Sequence, residues 1–404
     1  MSSEKKKRKI KLGKSKKNVN SADNGDFKSG LEVINGSRKR RKIIRIVSLA
    51  VAVVLIVTVL ILNALTPTGL IEYMQNGYAA MGSGDYPISV YAVNASYFGC
   101  RNDAVSILND TYFELYNADG KLLQAVSHGM SNPVLEESEA RFLLYDRERY
   151  SIIIYNYYTE LYTAKFEKPI FAADIGRDGT YAVVTDSDTY KNTVFVYNRD
   201  NELIFTWNSA SYDVLDVAVS RDGESIAVCL IDLDAGSFKS YVYILGFDNA
   251  SPMFQQSFDD VVSSITSVGE YILINGFDKA YTLSWTSGTL IDLGIAGDII
   301  AYDFRFEANS SIVYGREDNK QVNTVAVISE TGSVIASFPF NAAVTDIAVN
   351  ETNVAVLSPT KCYIYDFGGN LISEFATDVK GLYVGLSDDG EVIVLDNSKL
   401  TKYS

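Results

Sequence analysis

The sequence predicts an all-β fold, a β-propeller of eight four-stranded blades, behind a single transmembrane helix. Two observations predict it: a turn pattern that recurs eight times from residue 87 onward, and an uncharged apolar run at residues 46–65. The chain has 404 residues, of which 47% are hydrophobic, and this is enough for a large core. Such a composition excludes a chain that is disordered throughout.

Basic and acidic residues are divided unevenly along the chain. Residues 1–45 carry sixteen Lys or Arg against four acidic residues, whereas the rest of the chain carries twenty against forty-six. The formal net charge of −14 therefore hides a basic arm joined to an acidic body. Two parts of opposite charge usually work in different environments.

The joining segment has the length and composition of a transmembrane helix, which we predict over residues 43–65. Its core, residues 46–65, contains no charged residue, no Pro and no Gly. At about 1.5 Å per residue this core spans roughly 30 Å, the thickness of the hydrocarbon layer of a bilayer. A cleaved signal peptide is the competing interpretation, although its apolar region is usually only about 7 to 15 residues long.

The charges that flank the span predict its orientation. Six basic residues precede it closely, whereas the first charge after it is Glu72. By the positive-inside rule, the N-terminus is cytoplasmic and the C-terminal body is extracytoplasmic. We expect the six basic residues to contact the anionic inner leaflet: Arg38, Lys39, Arg40, Arg41, Lys42 and Arg45.

Two segments flank the span. Residues 1–42 are predicted to be a disordered cytoplasmic arm, because they have almost no apolar clusters to bury. Beside a membrane span, their basic blocks favour lipid over nucleic acid as a partner. Residues 66–86 are predicted to be a short juxtamembrane stalk with one or two helical turns, so that the body at residues 87–404 lies close to the membrane.

The body consists of short β-rich runs broken by Asp, Asn and Gly. One class of turn recurs at intervals of 35 to 47 residues, and a second class follows the third strand of seven units. Four strands per unit of about 41 residues is the signature of propeller blades, eight of them here, with seven as the alternative. The first class of turn is marked by Asp103, Ser138, Asp178, Asp222, Gly269, Asn309, Glu351 and Asp389.

The eighth unit ends before its outer strand. An incomplete last blade would leave an open sheet edge and an unclosed ring. The run at residues 87–93 precedes the first complete unit and has no partner of its own. We predict that it pairs with residues 398–403 and closes the ring.

Local composition predicts further details of the body. Asp-Gly pairs that begin at residues 178, 222 and 389 are predicted to be hairpin turns in which Gly supplies a positive φ. An odd number of cysteines, each inside an apolar run, predicts buried free thiols rather than a disulfide framework. These cysteines are Cys100, Cys229 and Cys362.

Candidate catalytic chemistry is sparse, and we expect neither an enzyme nor a bound cofactor. The only histidine is His128, so a zinc site that uses two His is impossible and a Ser-His-Asp triad would need this residue. No nucleophile elbow, phosphate loop or dinucleotide fingerprint is present. A carboxylate-based enzyme acting on glycans and a quinone-dependent enzyme stay open as alternatives. Acidic residues lining the central channel would favour the first, and a channel plugged by side chains would favour a scaffold.

Two Asp-x-Asp pairs are weak calcium candidates. Asp186 and Asp188 lie in the second hairpin of one predicted blade, and Asp232 and Asp234 lie in that of the next. Alternating carboxylates in a loop bind Ca²⁺, but the further ligands and terminal Glu of a full calcium loop are missing. Solvated turn residues are the competing interpretation.

One segment of the body resembles a known family. The run HGMSNPVL at residues 128–135, followed by LLYDR at 143–147 and by the segment at 173–184, resembles a family of uncharacterised proteins from Gram-positive bacteria. In that family a cytoplasmic arm and one span precede a propeller-like domain of unknown function. The resemblance implies a bacterial plasma-membrane protein that faces the outside, and it implies no activity.

The same segment has a physical interpretation as the crossover from the first blade to the second. Pro fixes φ and biases the residue before it to an extended conformation, as a crossover needs. Crossovers also lie on a face of the ring where propellers often bind partners. Two interpretations therefore stay open, a structural corner and a contact with a partner. The residues concerned are His128, Asn132, Pro133, Asp146 and Arg147.

These observations together favour a protein-binding or scaffolding propeller at the outer face of the plasma membrane, with an envelope protein as its partner. A ligand sensor that signals through the span to the basic arm is the alternative, beside the two enzyme classes.

Overall fold

The computed structural model describes residues 24–403, apart from 67, 91–94, 102–103, 233–237, 278, 296, 305–308, 317–318 and 378–379. The chain divides into two compact units, Met1–Leu62 and Asn63–Ser404. Residues 1–23 of the predicted arm and residues 91–93 of the predicted closing strand lie outside the described residues.

The first unit contains most of a long helix, α1 (Asn24–Leu65). Within it, Lys42–Asn63 is the one segment of the described chain that is long and apolar enough to cross a membrane, a criterion that a signal sequence also meets. The helix begins well before residue 43, so residues 24–42 differ from the predicted disorder. The physical reason is cooperativity: once the apolar segment is helical, each further residue adds a backbone hydrogen bond without a new nucleation step.

A second helix, α2 (Leu70–Ala80), occupies the predicted stalk. It has about three turns, whereas the sequence predicts a stalk with one or two. The helix packs on the propeller, because Asn76 is buried and its side chain bonds to the backbone of Ala140 and Tyr157 in the second blade. The stalk is therefore part of the second unit.

The second unit contains eight four-stranded antiparallel blades, as the sequence predicts. In blades 1 to 7 the strands follow one another in chain order. Blades 1 to 4 contain β2 (Tyr97–Arg101), β3 (Ala104–Leu108), β4 (Tyr112–Asn117), β5 (Leu122–Ser127), β6 (Pro133–Glu137), β7 (Arg141–Asp146), β8 (Ser151–Asn156), β9 (Glu160–Lys165), β10 (Ile170–Ile175), β11 (Tyr181–Asp186), β12 (Asn192–Tyr197), β13 (Leu203–Ser209), β14 (Asp213–Val219), β15 (Ser225–Asp232), β16 (Lys239–Gly246) and β17 (Phe254–Phe258).

The remaining blades continue the same pattern round the ring. Blade 8 takes three strands from the C-terminal end of the chain and one from the start of the body. Blades 5 to 8 contain β18 (Val262–Val268), β19 (Tyr271–Gly276), β20 (Ala280–Ser284), β21 (Leu290–Asp292), β22 (Asp298–Asp303), β23 (Ser310–Arg316), β24 (Asn319–Ile328), β25 (Val334–Phe340), β26 (Asp346–Val349), β27 (Asn353–Ser358), β28 (Lys361–Asp366), β29 (Leu371–Ala376), β30 (Tyr383–Leu386), β31 (Val392–Leu395), β32 (Lys399–Tyr403) and β1 (Ile88–Ser89).

Within the described part of the predicted closing segment 87–93, strand β1 pairs with β32. Ile88 pairs with Leu400 and Ser89 with Lys399 in antiparallel register. The backbone N–H of Val90 adds a hydrogen bond of 3.1 Å to the carbonyl of Ser398. Leu400 is fully buried and packs in one cluster with Val90 and with residues of blade 1. The two ends of the propeller chain therefore meet in blade 8.

Each blade presents its connections on two opposite faces of the ring. The crossover face carries the connections between blades and the turns between second and third strands. The hairpin face carries the turns between first and second strands and between third and fourth strands. The Asp-Gly turns on the hairpin face have positive φ at Gly179, Gly223 and Gly390, as predicted.

The core lies between neighbouring blades. Most of its buried clusters combine side chains from adjacent sheets, and tyrosines of the third strands fill the spaces between them. Cys229 and Cys362 are buried and Cys100 is partly buried, and none of the three is in a disulfide. The ring therefore depends on packing between adjacent blades.

Candidate functional site

The crossover between blades 1 and 2 is built around the only histidine. His128 Nδ1 accepts a hydrogen bond of 3.1 Å from the backbone N–H of Met130. Its Nε2 lies 3.0 Å from the carbonyl of Asn109 and donates to it, since Nδ1 is the acceptor. The side chain is buried. His128 thus joins the crossover to the turn of blade 1, a structural role that the sequence left open.

Asp146 fixes the second half of the same crossover. Its Oδ1 accepts hydrogen bonds from the backbone N–H groups of Ser131 (3.1 Å) and Asn132 (2.8 Å). Pro133 then begins β6, and the backbone N–H of Arg147 donates to the Asn132 carbonyl at 2.9 Å. The structure therefore brings the residues predicted for this corner together on the crossover face.

Arg147 connects this corner to the centre of the ring. Its Nη2 donates a hydrogen bond of 3.1 Å to the hydroxyl of Tyr145. The guanidinium group also lines a central cavity of about 750 Å³, which the first strands of all eight blades surround. Exposed apolar side chains of three of these strands line it too: Phe171, Leu215 and Tyr302.

Acidic groups outnumber basic groups in this cavity. Ser267 also lines it, and its hydroxyl is buried without a hydrogen-bond partner among the described atoms. The described residues around the cavity include six carboxylates and two guanidinium groups: Glu136, Glu137, Asp174, Asp216, Asp303, Asp346, Arg101 and Arg147. The cavity is therefore suited to a positively charged group.

Four of the carboxylates link neighbouring blades. In each case Oδ2 of an Asp on a first strand accepts a hydrogen bond from a backbone N–H of the following blade. Asp216 of blade 4, for example, accepts from Ile265 of blade 5 at 2.9 Å. The other links join Asp174 to Val219 (2.7 Å), Asp303 to Val349 (2.9 Å) and Asp346 to Val384 (2.8 Å).

Burial changes the acidity of these carboxyl groups. It raises the pKa of Asp174 to about 6 and the pKa of both Asp216 and Asp346 to about 7. Each group touches the cavity but is surrounded by protein, which solvates its charge less well than water does. The backbone N–H groups that each carboxylate accepts from oppose this rise. These groups therefore change charge close to neutral pH.

Glu136 lies among these groups and is perturbed most strongly. Burial raises its pKa well above the usual range, and the carboxylates of Asp174 and Asp216 raise it further. The guanidinium groups of Arg147 and Arg101 act in the opposite direction. A buried carboxyl group whose pKa is raised by burial and by neighbouring carboxylates is suited to ligand binding or to proton transfer.

The neighbouring Glu137 is held in an ion pair. Its Oε2 lies 3.8 Å from Nε of Arg101, and the hydroxyl of Ser106 donates to its Oε1. Arg101 also reaches across the cavity and donates to the carbonyl of Phe304. Burial raises the pKa of Glu137, and Arg101 opposes this rise. Glu137 is therefore paired with Arg101, whereas the pKa of Glu136 is raised further by the carboxylates of Asp174 and Asp216.

Sequence reasoning did not identify these interior acids. Their signal is an ionisable residue inside an otherwise apolar first strand, in the short runs ADI (173–175), LDV (215–217), YDF (302–304) and TDI (345–347). Only the closed ring shows that the four positions face the same cavity, because they are about 40 residues or more apart in sequence.

The other predicted sites lie away from the cavity. Asp188 pairs with Lys168 at 2.5 Å on an exposed turn, and Asp186 accepts from the backbone N–H of Ser187. Asp234 lies outside the described residues, and within the described part of the chain no three metal-ligating side chains form a group. Calcium binding at Asp186 and Asp188 therefore has no geometric support among the described residues, and at Asp232 and Asp234 it stays a prediction.

The predicted inner-leaflet residues all lie in α1. Arg40, Lys42 and Arg45 have exposed side chains. The side-chain positions of Arg38, Lys39 and Arg41 lie outside the described part of the structure. Contact of these residues with lipid stays a prediction.

Part of the propeller matches a known sequence family. Residues 89–283 match the model of DUF5711, a family of unknown function. The matched segment runs from the closing strand β1 into blade 5. No curated protein sequence matches the chain at a significant level. The DUF5711 match therefore carries no activity over to this protein.

Solved structures with similar folds are numerous. Sqt1 from Saccharomyces cerevisiae has a TM-score of 0.54 at 10% identity, over 80% of this chain and 100% of that one. The C-terminal WD40 domain of Sif2 has a TM-score of 0.52 at 10% identity, over 80% and 99%. AztD from Citrobacter koseri has a TM-score of 0.52 at 12% identity, over 72% and 88%. At such low identity the similarity shows the fold alone.

The role of His128 is testable by substitution. His128→Ala removes two hydrogen bonds at a buried corner, so we expect it to lower the free energy of unfolding by about 1–3 kcal/mol. Ser131→Ala, at an exposed position of the same crossover, is the control and should leave stability nearly unchanged. Chemical denaturation measures both. A His128→Ala protein that keeps full stability but loses a partner would assign the residue to binding instead.

The interior carboxylates should make stability depend on pH. The pKa of Asp216 is higher in the folded protein than in the unfolded chain, so its stabilising effect is complete below about pH 4 and is lost as pH rises through about 7. The melting temperature should fall between pH 5 and pH 8, and Asp216→Asn should flatten part of this decline. Asp200→Asn, on an exposed turn, is the control. A decline that is equally steep in the Asp216→Asn protein would contradict the assignment.

Proposed function

We propose that this protein is a binding module of the bacterial cell envelope, held at the plasma membrane by one span with its propeller outside the cytoplasm. The observation that carries the binding role is the acidic central cavity, which the first strands of all eight blades surround. The apolar segment Lys42–Asn63 and the basic residues before it support the anchorage and the orientation.

The proposed partner is an envelope protein that presents a positively charged group to the cavity. Ionised carboxylates in a protein interior attract a cation more strongly than they would in water. Phe171, Leu215 and Tyr302 add apolar contact area beside the charges. Arg147 and the crossover corner at Asn132 lie at the same side of the ring. A protein that buries a Lys or Arg side chain in the cavity fits this combination.

Glu136 supports a second candidate function, a carboxylate-based enzyme. The cavity is lined with acidic residues, an arrangement that favours such an enzyme over a scaffold. A carboxyl group with a raised pKa, close to two further carboxyl groups, resembles the general acid of many hydrolases. Asp216, in contrast, accepts from the backbone N–H groups of Val217 and Ile265, which gives it a structural role. The binding module therefore explains more of the cavity than the enzyme does.

One crosslinking experiment tests location and binding together. Intact cells that express the chain are treated with an amine-reactive crosslinker that does not cross membranes, and crosslinked partners are identified by mass spectrometry. Glu136→Gln keeps the shape of the side chain but cannot become a carboxylate beside a bound cation. We therefore expect at least a tenfold lower recovery of the partner, since removal of one member of a buried charge pair costs about 2–5 kcal/mol.

Glu224→Gln is the matched control, because Glu224 is an exposed residue on the hairpin face. Its partner recovery should equal that of the unchanged protein. Crosslinks that form only after the cells are lysed would contradict the extracytoplasmic location. Equal recovery with Glu136→Gln and Glu224→Gln would contradict binding through the cavity.

A further inference from the structure

Helix α2 packs on the propeller through its polar side. The carboxylate of Glu72 forms two hydrogen bonds with the guanidinium group of Arg141, at 2.9 and 2.7 Å. Both side chains are largely buried, with exposures of 12% and 8%. Asn76 donates to the Ala140 carbonyl at 3.3 Å and accepts from the Tyr157 N–H at 3.3 Å. A helix on a water-facing surface normally turns its apolar side to the core instead.

The C-terminal end of α2 is fixed in the same way. Asn117 Nδ2 donates to the carbonyls of Ala80 and Gly82, both at 2.7 Å. Lys121 Nζ donates to the carbonyls of Ala79 (3.0 Å) and Met81 (2.6 Å). Asn117 and Lys121 belong to the turn between β4 and β5, so α2 lies on the hairpin face. Hydrogen bonds at both ends of the helix hold its orientation.

The opposite side of α2 is apolar and exposed. Ile71, Met74, Tyr78 and Met81 have exposures of 73%, 64%, 75% and 68%. The spacing of three and four residues places Ile71, Met74 and Tyr78 in one stripe along the helix, and Met81 follows as its extended C-cap residue. Glu72 is the only charged residue of α2 and is used in the ion pair with Arg141. The exposed stripe therefore carries no charge.

We propose that this stripe lies in the interfacial layer of the lipid bilayer, on the side of the membrane where the propeller is located. This inference rests on the proposed anchorage. Six residues separate α2 from the segment Lys42–Asn63, and so short a connection reaches at most about 25 Å. Tyr is enriched at membrane interfaces, and interfacial helices bury their apolar side by about 5–10 Å.

Further apolar residues lie on the same face of the ring. The outer strand of several blades begins, just after its hairpin-face turn, with exposed aliphatic side chains. They include Leu122, Leu203, Ile204, Val334, Leu371 and Ile372. With the hairpin face at the bilayer, the crossover face and its corner at Arg147 are free for a partner. The stripe on α2 thus sets which face of the propeller is available for binding.

The test uses the full chain reconstituted in liposomes that contain lipids brominated in their acyl chains, which quench tryptophan fluorescence on contact. Tyr78→Trp introduces a tryptophan in the stripe, whereas Phe277→Trp introduces one on the crossover face at a similar exposure, 75% against 73%. The native Trp207 and Trp285 are nearly buried and give a background that the unchanged protein measures. We expect quenching of the Tyr78→Trp signal to be several-fold stronger than that of Phe277→Trp.

Extraction at alkaline pH separates this inference from the anchorage on which it rests. A chain that leaves the membrane on extraction contradicts the anchorage itself. A chain that resists extraction, with equal quenching at the two introduced tryptophans, contradicts the interfacial stripe and leaves the anchorage intact. That second result would assign the stripe to a contact with another protein.

Discussion

Closure of the ring is the constraint on which the rest of this structure depends. Each blade packs only against its two neighbours, so blade 8 has a complete set of contacts only if it meets blade 1. The joint consists of two paired residues in β1 and a buried cluster in which Leu400 and Ile393 of blade 8 pack with Val105 of blade 1. Residues almost 300 positions apart in sequence therefore hold the ring together.

The closed ring also creates the cavity and its acidity. Because the first strands surround the axis, an Asp on one strand reaches the backbone N–H of the following blade, as Asp216 does with Ile265. The same geometry removes the carboxylates from bulk water and raises their pKa. Carboxylates that link neighbouring blades therefore change charge near neutral pH. The stability of the ring therefore depends on pH through these carboxylates.

The sequence predicts those parts of the fold that depend on local patterns. Turns such as Asp178-Gly179 recur with a regular spacing, and they give the number of blades and of strands. A short paired segment such as β1 is predictable because an incomplete last blade requires it. The function of an isolated residue is harder to derive, since His128 shows its bonding partners only when the crossover is folded.

Features that depend on long-range contacts could not be predicted. The ion pair of Glu72 with Arg141 joins residues 69 positions apart, and it reverses the side of α2 that faces the protein. The carboxylates that line the cavity come from five different blades, so no single segment indicates that they share one site. The extension of α1 into residues 24–42 depends on helix propagation from the apolar segment, which composition alone does not show.

Hydrogen exchange measured by mass spectrometry tests the closed ring most directly. Peptides that cover β1 and β32 should exchange as slowly as those of β11, an interior strand of blade 3, because an amide in the joint is released only when the whole ring opens. Rapid exchange at residues 88–90 and 399–403, with β11 still protected, would contradict closure. It would also remove the basis for a single cavity enclosed by eight blades.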